Sequence, residues 1–557
     1  MNTFILLLVW VLPLSLAVLA GQRYASWTTV IAPLPALLAA AVVPVGSSVS
    51  LPWLLLGVQL GLDDSGRVFL LFSGLLWLVA SLYAAGSLAC DHKATRFRIF
   101  FLLAMAGNLG LIVAQDAVSF YLGFTLMGLA AYGLIAHPAS QHARRAARRY
   151  LVWTIAGEML LFTAIVMLAA QHSGVVSFSV LQSSPPGGFM VLLLLIGFGI
   201  KLALPGLHLW LPQAYAVTPT PAVAVLSGSM INAGLLGWLR FLPPGDAALA
   251  NWGQALLAAG ITGIFFGAIA GLLQRSPRLL LGYSSISKMG VLTSGMGAAL
   301  AWPETAPVVI GAVVIYAAHH ALVKGALFLG LGLVERDGLR PWIQAGLVFL
   351  ALALAGAPLT SGAFAKSVLT SSLPESAQHL VMLLAATAFT TTLLMVRFLL
   401  LVRGLRVSKP SPLPAVTITA WLSLVAIIAA YPIVIAQTMQ LMANTVPVFL
   451  GVLLSVLVLL AARRFPVRIT AHPYRSMARG FALRRRHGIR QLAHTGALAI
   501  KTLQSAARNH YERLRQTMEQ GFLQLRRLSD DNERWQLAGS LWLGIGGLLL
   551  AGFIFSL

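Results

Sequence analysis

The chain has 557 residues, of which 58% are hydrophobic and only 10% charged. So little charge cannot cover a soluble fold of this size, which excludes a water-soluble enzyme and indicates an all-α polytopic membrane protein. The net charge of +23 would point to nucleic acid in a soluble protein; here it fits basic cytoplasmic loops against anionic lipid, so the expected partner is the lipid membrane and no nucleic acid.

Counting roughly 20 apolar residues per crossing gives about sixteen transmembrane helices. Their limits lie near 3–21, 27–45, 67–89, 97–115, 117–136, 147–170, 189–210, 216–242, 252–273, 278–300, 304–331, 341–370, 377–403, 415–436, 444–463 and 536–556. The first segment lacks a basic leader and runs on into further helices, so it is expected to be a retained helix rather than a cleaved signal. Segments 97–115 and 117–136 admit a single re-entrant unit as the alternative. Cys90 is the lone cysteine. It allows no intramolecular disulfide and no cysteine-based cluster or zinc site. No flavin, quinone, NAD or iron–sulfur motif is visible, so no cofactor is expected.

Loop charges test this count. Odd-numbered loops carry Arg23; Lys93, Arg96 and Arg98; Arg144, Arg145, Arg148 and Arg149; Arg275 and Arg278; Arg336 and Arg340; then Arg403, Arg406 and Lys409. Even-numbered loops carry Asp63, Asp64, Asp116, Asp246, Glu304 and Glu375, with Arg67 and Arg240 at their edges. The positive-inside rule then puts the odd loops in the cytoplasm and both termini on the periplasmic side of a cell inner membrane.

Two spans contain a charge beside a helix break. In Ile196 to Phe241, Lys201 sits in an apolar run that Pro205-Gly206 interrupts; His208, Trp210 and a Pro-rich bend (Pro212, Pro219, Pro221) follow. In Ala345 to Thr370, Gly356, Pro358 and Gly362 interrupt the run and Lys366 follows. A charge at membrane depth faces a protein interior or a wet cavity, and freed backbone is tolerated only there. The competing reading, a lysine snorkelling from a helix end, suits Lys201 poorly because apolar residues extend for several turns before it. The lysine precedes Pro205 in one stretch and follows Pro358 in the other, the order expected of inverted repeats. The domains read as 1–66, N-terminal helices and a connecting loop; 67–242, a first transport repeat; 252–403, a second; 413–464, C-terminal helices; 465–535, a basic lateral segment; and 536–557, a final anchor helix.

The lateral segment is distinct in composition. Residues 463–534 hold sixteen Lys/Arg and five Asp/Glu. From Ile489 to Leu528 apolar residues recur at steps of three or four, a helical stripe roughly 60 Å long at 1.5 Å per residue. It is too polar to span and reads as an amphipathic helix on the cytoplasmic face; a solvated coil is the alternative.

Several stretches resemble one family. GIKLALPGLHLWLPQAYAVTPTPAVAVLSGSMI, RLLLGYSSISKMG (278–290), HHALVKGALFLGLG (319–332) and the broken helix ending in Gly362 to Lys366 resemble the proton-translocating, antiporter-like membrane subunits of respiratory complex I, hydrogenase-4/formate hydrogenlyase complexes and multisubunit cation/proton antiporters. The sixteen spans and the lateral segment look most like the complex I subunit L branch and its hydrogenase-4 relatives. The family usually has a glutamate in its fifth helix where Thr125 stands here; Glu158 lies in the next helix. The eighth helix often holds Lys or His, where this chain offers Ser227 and Asn232, and Lys288 takes a position usually held by His or Gln.

The resemblance implies a proton path through Glu158, Lys201, His320, Lys324 and Lys366, with Lys288, His319, Asn232 and Ser227 as further candidates. Burial favours a neutral lysine and a nearby carboxylate restores its charge, so a Lys201–Glu158 pair that forms and breaks would load and release a proton. His320 and Lys324, four apart, share a helix face. Lys366 would serve the exit side, and His208 beside Trp210 reads as structural. The implied function is a proton-translocating subunit of a complex I-like assembly. The chain would then be part of an NADH-quinone oxidoreductase-like complex, without a redox centre of its own. Its partners would be other membrane subunits and a soluble redox module. The alternatives are a driving subunit of an antiporter or inorganic-carbon uptake complex, the latter with a soluble zinc-enzyme partner, and a non-conducting structural anchor.

Overall fold

A backbone that leaves water must satisfy its own polar groups, and an apolar chain does so by forming helix. The structure, a computed structural model, describes residues 2–20, 25–54, 57–89, 91–172, 176–183, 185–408, 410–435 and 445–464. It opens with α1 (Asn2–Leu19), α2 (Ala25–Ile31) and α3 (Leu34–Val42), then a hairpin of β1 (Ser48–Leu51) and β2 (Val58–Gly61). The long helices α4 (Asp64–Ser87), α5 (Ala94–Val113), α6 (Ala117–Ala136) and α7 (Gln141–Gln171) follow. Shorter pieces come next: α8 (Phe178–Leu181), α9 (Gly188–Lys201), α10 (Leu211–Val217), α11 (Thr220–Ser227) and α12 (Ala233–Phe241). The later helices are α13 (Ala250–Leu272), α14 (Pro277–Ala301), α15 (Ala306–Asp337), α16 (Pro341–Ala355), α17 (Ser361–Ser371), α18 (Gln378–Arg403), α19 (Ala415–Ile435) and α20 (Thr445–Arg464). Among the described residues nine helices are long and apolar enough to cross a membrane, and several shorter apolar helices accompany them. The chain is a multi-pass helical membrane protein.

Every span expected before residue 464 falls largely on helix, with four differences of detail, one of them the division of 341–370 into α16 and α17. Pro33 and Pro35 split the span expected at 27–45 into α2 and α3, because proline removes a backbone donor and crowds the preceding turn. The span expected at 189–210 stops at Lys201, and that at 216–242 divides at Gly228–Asn232 into α11 and α12. The possible re-entrant unit at 97–136 is instead two 20-residue helices, α5 and α6. The lateral segment and the final helix lie outside the described residues.

Helix ends are fixed by acidic and hydroxyl caps. Asp63 accepts from Gly66 N at the start of α4 and Asp116 from Ser119 N at the start of α6, both at 2.8 Å. Asp116 also accepts from Gln59 N at 2.8 Å, which pins the hairpin to α6. Arg240 at the end of α12 donates to both carboxylate oxygens of Asp63, at 2.6 and 3.0 Å, and to the Ile112 carbonyl at 3.2 Å. Helix pairs approach closely where glycines meet. A Cβ on Gly260 of α13 would lie 2.6 Å from Ser294 N of α14, and one on Gly290 would lie 2.6 Å from the Gly260 carbonyl. Small residues give such contacts when lipid offers no hydrophobic drive to association.

Candidate functional site

The first broken helix is built around its own loose ends. α9 stops at Lys201, and the chain turns through Ala203 (φ 55°) and Gly206 (φ 86°). The turn stays satisfied because Leu204 N donates to the Gly199 carbonyl at 3.1 Å and Trp210 Nε1 to the Ile200 carbonyl at 2.8 Å. Lys201 is thereby held as the last helical residue, 5% exposed. Its Nζ donates to Tyr150 Oη at 3.3 Å and lies 5.7 Å from the ring centroids of both Phe124 and Tyr150.

The helical repeat of α7 places Tyr150, Thr154 and Glu158 on one buried face. Tyr150 Oη donates to the Gly128 carbonyl of α6 at 3.1 Å. The Glu158 carboxyl reaches the same glycine: a Cβ on Gly128 would lie 2.6 Å from Glu158 Oε1. Thr125 is one turn earlier on α6, so the α7 carboxylate occupies the neighbourhood where the resemblance expects an α6 glutamate. Glu158 and Lys201 lie within electrostatic range of each other. They form no ion pair among the described residues, and the hydroxyl of Tyr150 holds the lysine. His208 packs its ring 4.7 Å from that of Phe266.

The second cluster lies on α14, α15 and α17. Lys288, His319, His320, Lys324 and Lys366 are all buried, at 3% exposure or less. Lys324 Nζ donates to the Leu281 carbonyl of α14 at 2.8 Å, and His319 Nδ1 lies 3.0 Å from Ser361 Oγ at the start of α17. Lys288 is within electrostatic range of the other four. The break before α17 runs through Gly356 (φ 84°) and Leu359 (φ 64°), and Thr360 caps the new helix. Gly362 tolerates no side chain there, because a Cβ would overlap the Ala353 carbonyl. Lys366 thus follows its break as Lys201 precedes its own.

The span holding α11 and α12 lies between the two clusters. A Cβ on Gly228 would lie 2.5 Å from the Ala321 carbonyl of α15, beside His320; one on Gly234 would lie 3.3 Å from Lys201 Cβ. The break between them is polar. Ser227 Oγ donates to the Ala224 carbonyl at 3.2 Å and Asn232 Nδ2 to the Gly228 carbonyl at 2.6 Å. Ser229 Oγ donates to Asn108 Oδ1, which also accepts from Trp77 Nε1 at 2.8 Å, and it lies 2.6 Å from Ser73 Oγ. Sequence reasoning selected Ser227 and Asn232 but missed Ser229, Asn108, Ser73 and Tyr150. Asn108, an amide inside an apolar helix, was the one signal available.

The family described as NADH:quinone oxidoreductase/Mrp antiporter, transmembrane, matches residues 114–394, about half of the chain. That match contains both clusters and the span between them. The chain is 30% identical to the NADH-quinone oxidoreductase subunit N of Desulforudis audaxviator, over 57% of this chain and 66% of the relative. It is 27% identical to hydrogenase-4 component B of Escherichia coli, over 55% of this chain and 49% of the relative. The chain spans about half to two-thirds of the length of these curated relatives. Its fold is similar to that in the solved Mrp complex of a Dietzia species, with a TM-score of 0.69 at 22% identity, covering 99% of this chain and 63% of that one.

Proposed function

The chain belongs to the NADH:quinone oxidoreductase/Mrp antiporter transmembrane family, and from that premise we propose that it is a proton-translocating membrane subunit of a complex I-like assembly of the NADH-quinone oxidoreductase or hydrogenase-4 type. The observation that carries this reading is Lys201, buried at a helix break with a hydroxyl on one side and a carboxylate in electrostatic range. Buried ionisable groups at membrane depth mark ion paths by default. An amine with two competing partners changes its hold on a proton as it moves between them. Glu158 takes the partner role that Thr125 leaves open. From Lys201 the polar break at Ser227–Asn232 leads towards His320 and Lys324, with Lys288, His319 and Lys366 beyond. The likeness to subunit N and hydrogenase-4 component B supports a setting among other subunits of a complex; in this reading redox chemistry would belong to a soluble module.

Residues 67–242 and 252–403 serve as the two transport repeats in this reading, and the basic segment 465–535 braces neighbouring subunits from the cytoplasmic face. Both termini face the periplasm. A reporter active only in the periplasm, fused to Leu557, should be active; a silent reporter in a well-expressed fusion counts against this topology. The function itself is tested by proton flux in vesicles containing the reconstituted assembly. The native assembly should carry protons when its redox module is driven, and loss of Lys201 should stop it. Undiminished flux in Lys201→Ala removes Lys201 from the path.

A further inference from the structure

The geometry around Lys201 assigns a role to a residue that the proton path above does not use. We propose that Tyr150 is a positioning residue whose hydroxyl holds the Lys201 amine apart from Glu158. The inference rests on the proposed proton path and deepens it.

The hydroxyl is committed on three sides, one of them a hydrogen bond with the Thr154 side chain on the same helix. It accepts from Lys201 Nζ at 3.3 Å and gives its only proton to the Gly128 carbonyl at 3.1 Å. The ring cannot swing away, because it meets Trp210 edge-on with centroids 5.2 Å apart. Trp210 in turn is fastened to the Ile200 carbonyl, one residue before the lysine. One helix break therefore fixes both the amine and the ring that receives it. Glu158 is on the same face of α7 two turns later, and its carboxyl meets the same Gly128 that takes the tyrosine proton. Hydroxyl and carboxylate thus converge on one glycine of α6 and compete for one amine.

The other titratable groups facing this site are few. Glu158 and Tyr150 come from α7, Tyr121 from α6 and Tyr215 from α10. α12 also packs on α9, but its Arg240 is bound to Asp63. With the hydroxyl gone, the one charged partner left to the amine is the Glu158 carboxylate. A closed ion pair holds its proton on the lysine more tightly than an open one. Tyr150 therefore keeps the pair open, and its loss should close it.

Tyr150→Phe removes the hydroxyl and keeps the ring against Trp210. Three measurements on the full assembly decide the matter. Thermal unfolding should show that the variant folds. Infrared difference spectroscopy at fixed neutral pH, with the Glu158 carboxyl band assigned by its loss in Glu158→Gln, should show less protonated Glu158 in Tyr150→Phe than in the native chain. Proton flux should fall, and its pH profile should move up by about half a unit or more as the closed pair retains its proton. Tyr150→Trp, which also lacks the hydroxyl, should reproduce the infrared change. A carboxyl band and a pH profile that both match the native protein overturn the positioning role. A native assembly that carries no protons overturns the proposed function instead, and the infrared comparison still decides whether Tyr150 separates the pair.

Discussion

The two buried clusters are built on opposite electrostatic plans. The one on α7 and α9 holds one acid and one base, Glu158 and Lys201, with a tyrosine hydroxyl on the lysine amine. The one on α14, α15 and α17 gathers three lysines and two histidines and, among the described residues, no carboxylate; Glu304, Glu335, Asp337 and Glu375 stand at helix ends. Under the proposed path, proton affinity in the first is set by geometry, because moving the amine between hydroxyl and carboxylate would change its stabilisation. In the second it is set by occupancy, because like charges held close make each added charge costlier than the last. A switch suits the first arrangement and a relay the second.

The largest expected effect breaks the switch outright. Lys201→Ala should abolish proton flux in reconstituted vesicles while assembly is retained. Lys201→Arg should fail as completely, since arginine keeps its proton at any working pH. Next in size, Glu158→Gln should cut flux severely. Adding Thr125→Glu should restore part of it, because Thr125 lies one turn from the glycine that seats the Glu158 carboxyl. Normal flux in Glu158→Gln would leave Lys201 in place and put its counter-charge elsewhere, on a neighbouring subunit.

The parts of this comparison visible in the sequence are those with a large energetic signature. A lysine in an apolar run beside Pro or Gly is costly enough to stand out, so Lys201 and Lys366 were legible, as were the clustered His319, His320 and Lys324. Tyr150 and Ser229 were not. A tyrosine or serine costs little in a helix and leaves no trace in the pattern. Their importance comes from partners 51 and 121 residues away, Lys201 and Asn108. Thr125 and Glu158 could be listed as a missing and a present carboxylate. That they share one patch of α6 needed the crossing at Gly128, where the absence of a side chain carries the information. Helix existence was plain across the described residues, whereas Pro33 and the Gly228 break divided spans that hydropathy had joined.

A smaller effect separates the clusters by stability rather than by flux. Burying an amine without a partner costs free energy, and even whole buried ion pairs are often replaced by well-packed apolar residues at no cost or with a gain of about 1–4 kcal/mol. Lys288→Met, in the all-basic cluster, should therefore raise the thermal midpoint of the purified assembly. Lys324→Met should raise it less, since the Leu281 carbonyl loses its lysine donor and a lost hydrogen bond costs about 1 kcal/mol. Lys201→Met should not raise it, because there the amine has a hydroxyl, two aromatic faces and an acid in range. An equal rise in Lys201→Met and Lys288→Met would erase the distinction between the two plans.

The smallest effect lies outside the membrane and isolates an acid–base contact that needs no burial at depth. Asp91, in the loop between α4 and α5, receives His137 Nε2 at 2.8 Å and Lys93 N at 2.8 Å. His137 closes α6, and its carbonyl accepts from Arg96 at 2.8 Å, so the contact ties the α4–α5 loop to the end of α6. Burial alone would push the Asp91 carboxyl up; the hydrogen bond from His137, that from the Lys93 amide and the nearby imidazoles outweigh it and hold the carboxyl below its ordinary value of 3.8. A carboxyl held low in the folded state stabilises that state above its unfolded value and loses the contribution as pH falls through the folded one. The contact is therefore fully present at neutral pH and fades only in acid, below about pH 4. Asp91→Asn should lower the thermal midpoint slightly at pH 7, and the difference from the native chain should shrink as the buffer is taken from pH 5 to pH 3. A difference that stays constant across that range would mean the carboxylate charge contributes nothing and that the substitution acts only through changed hydrogen-bond geometry.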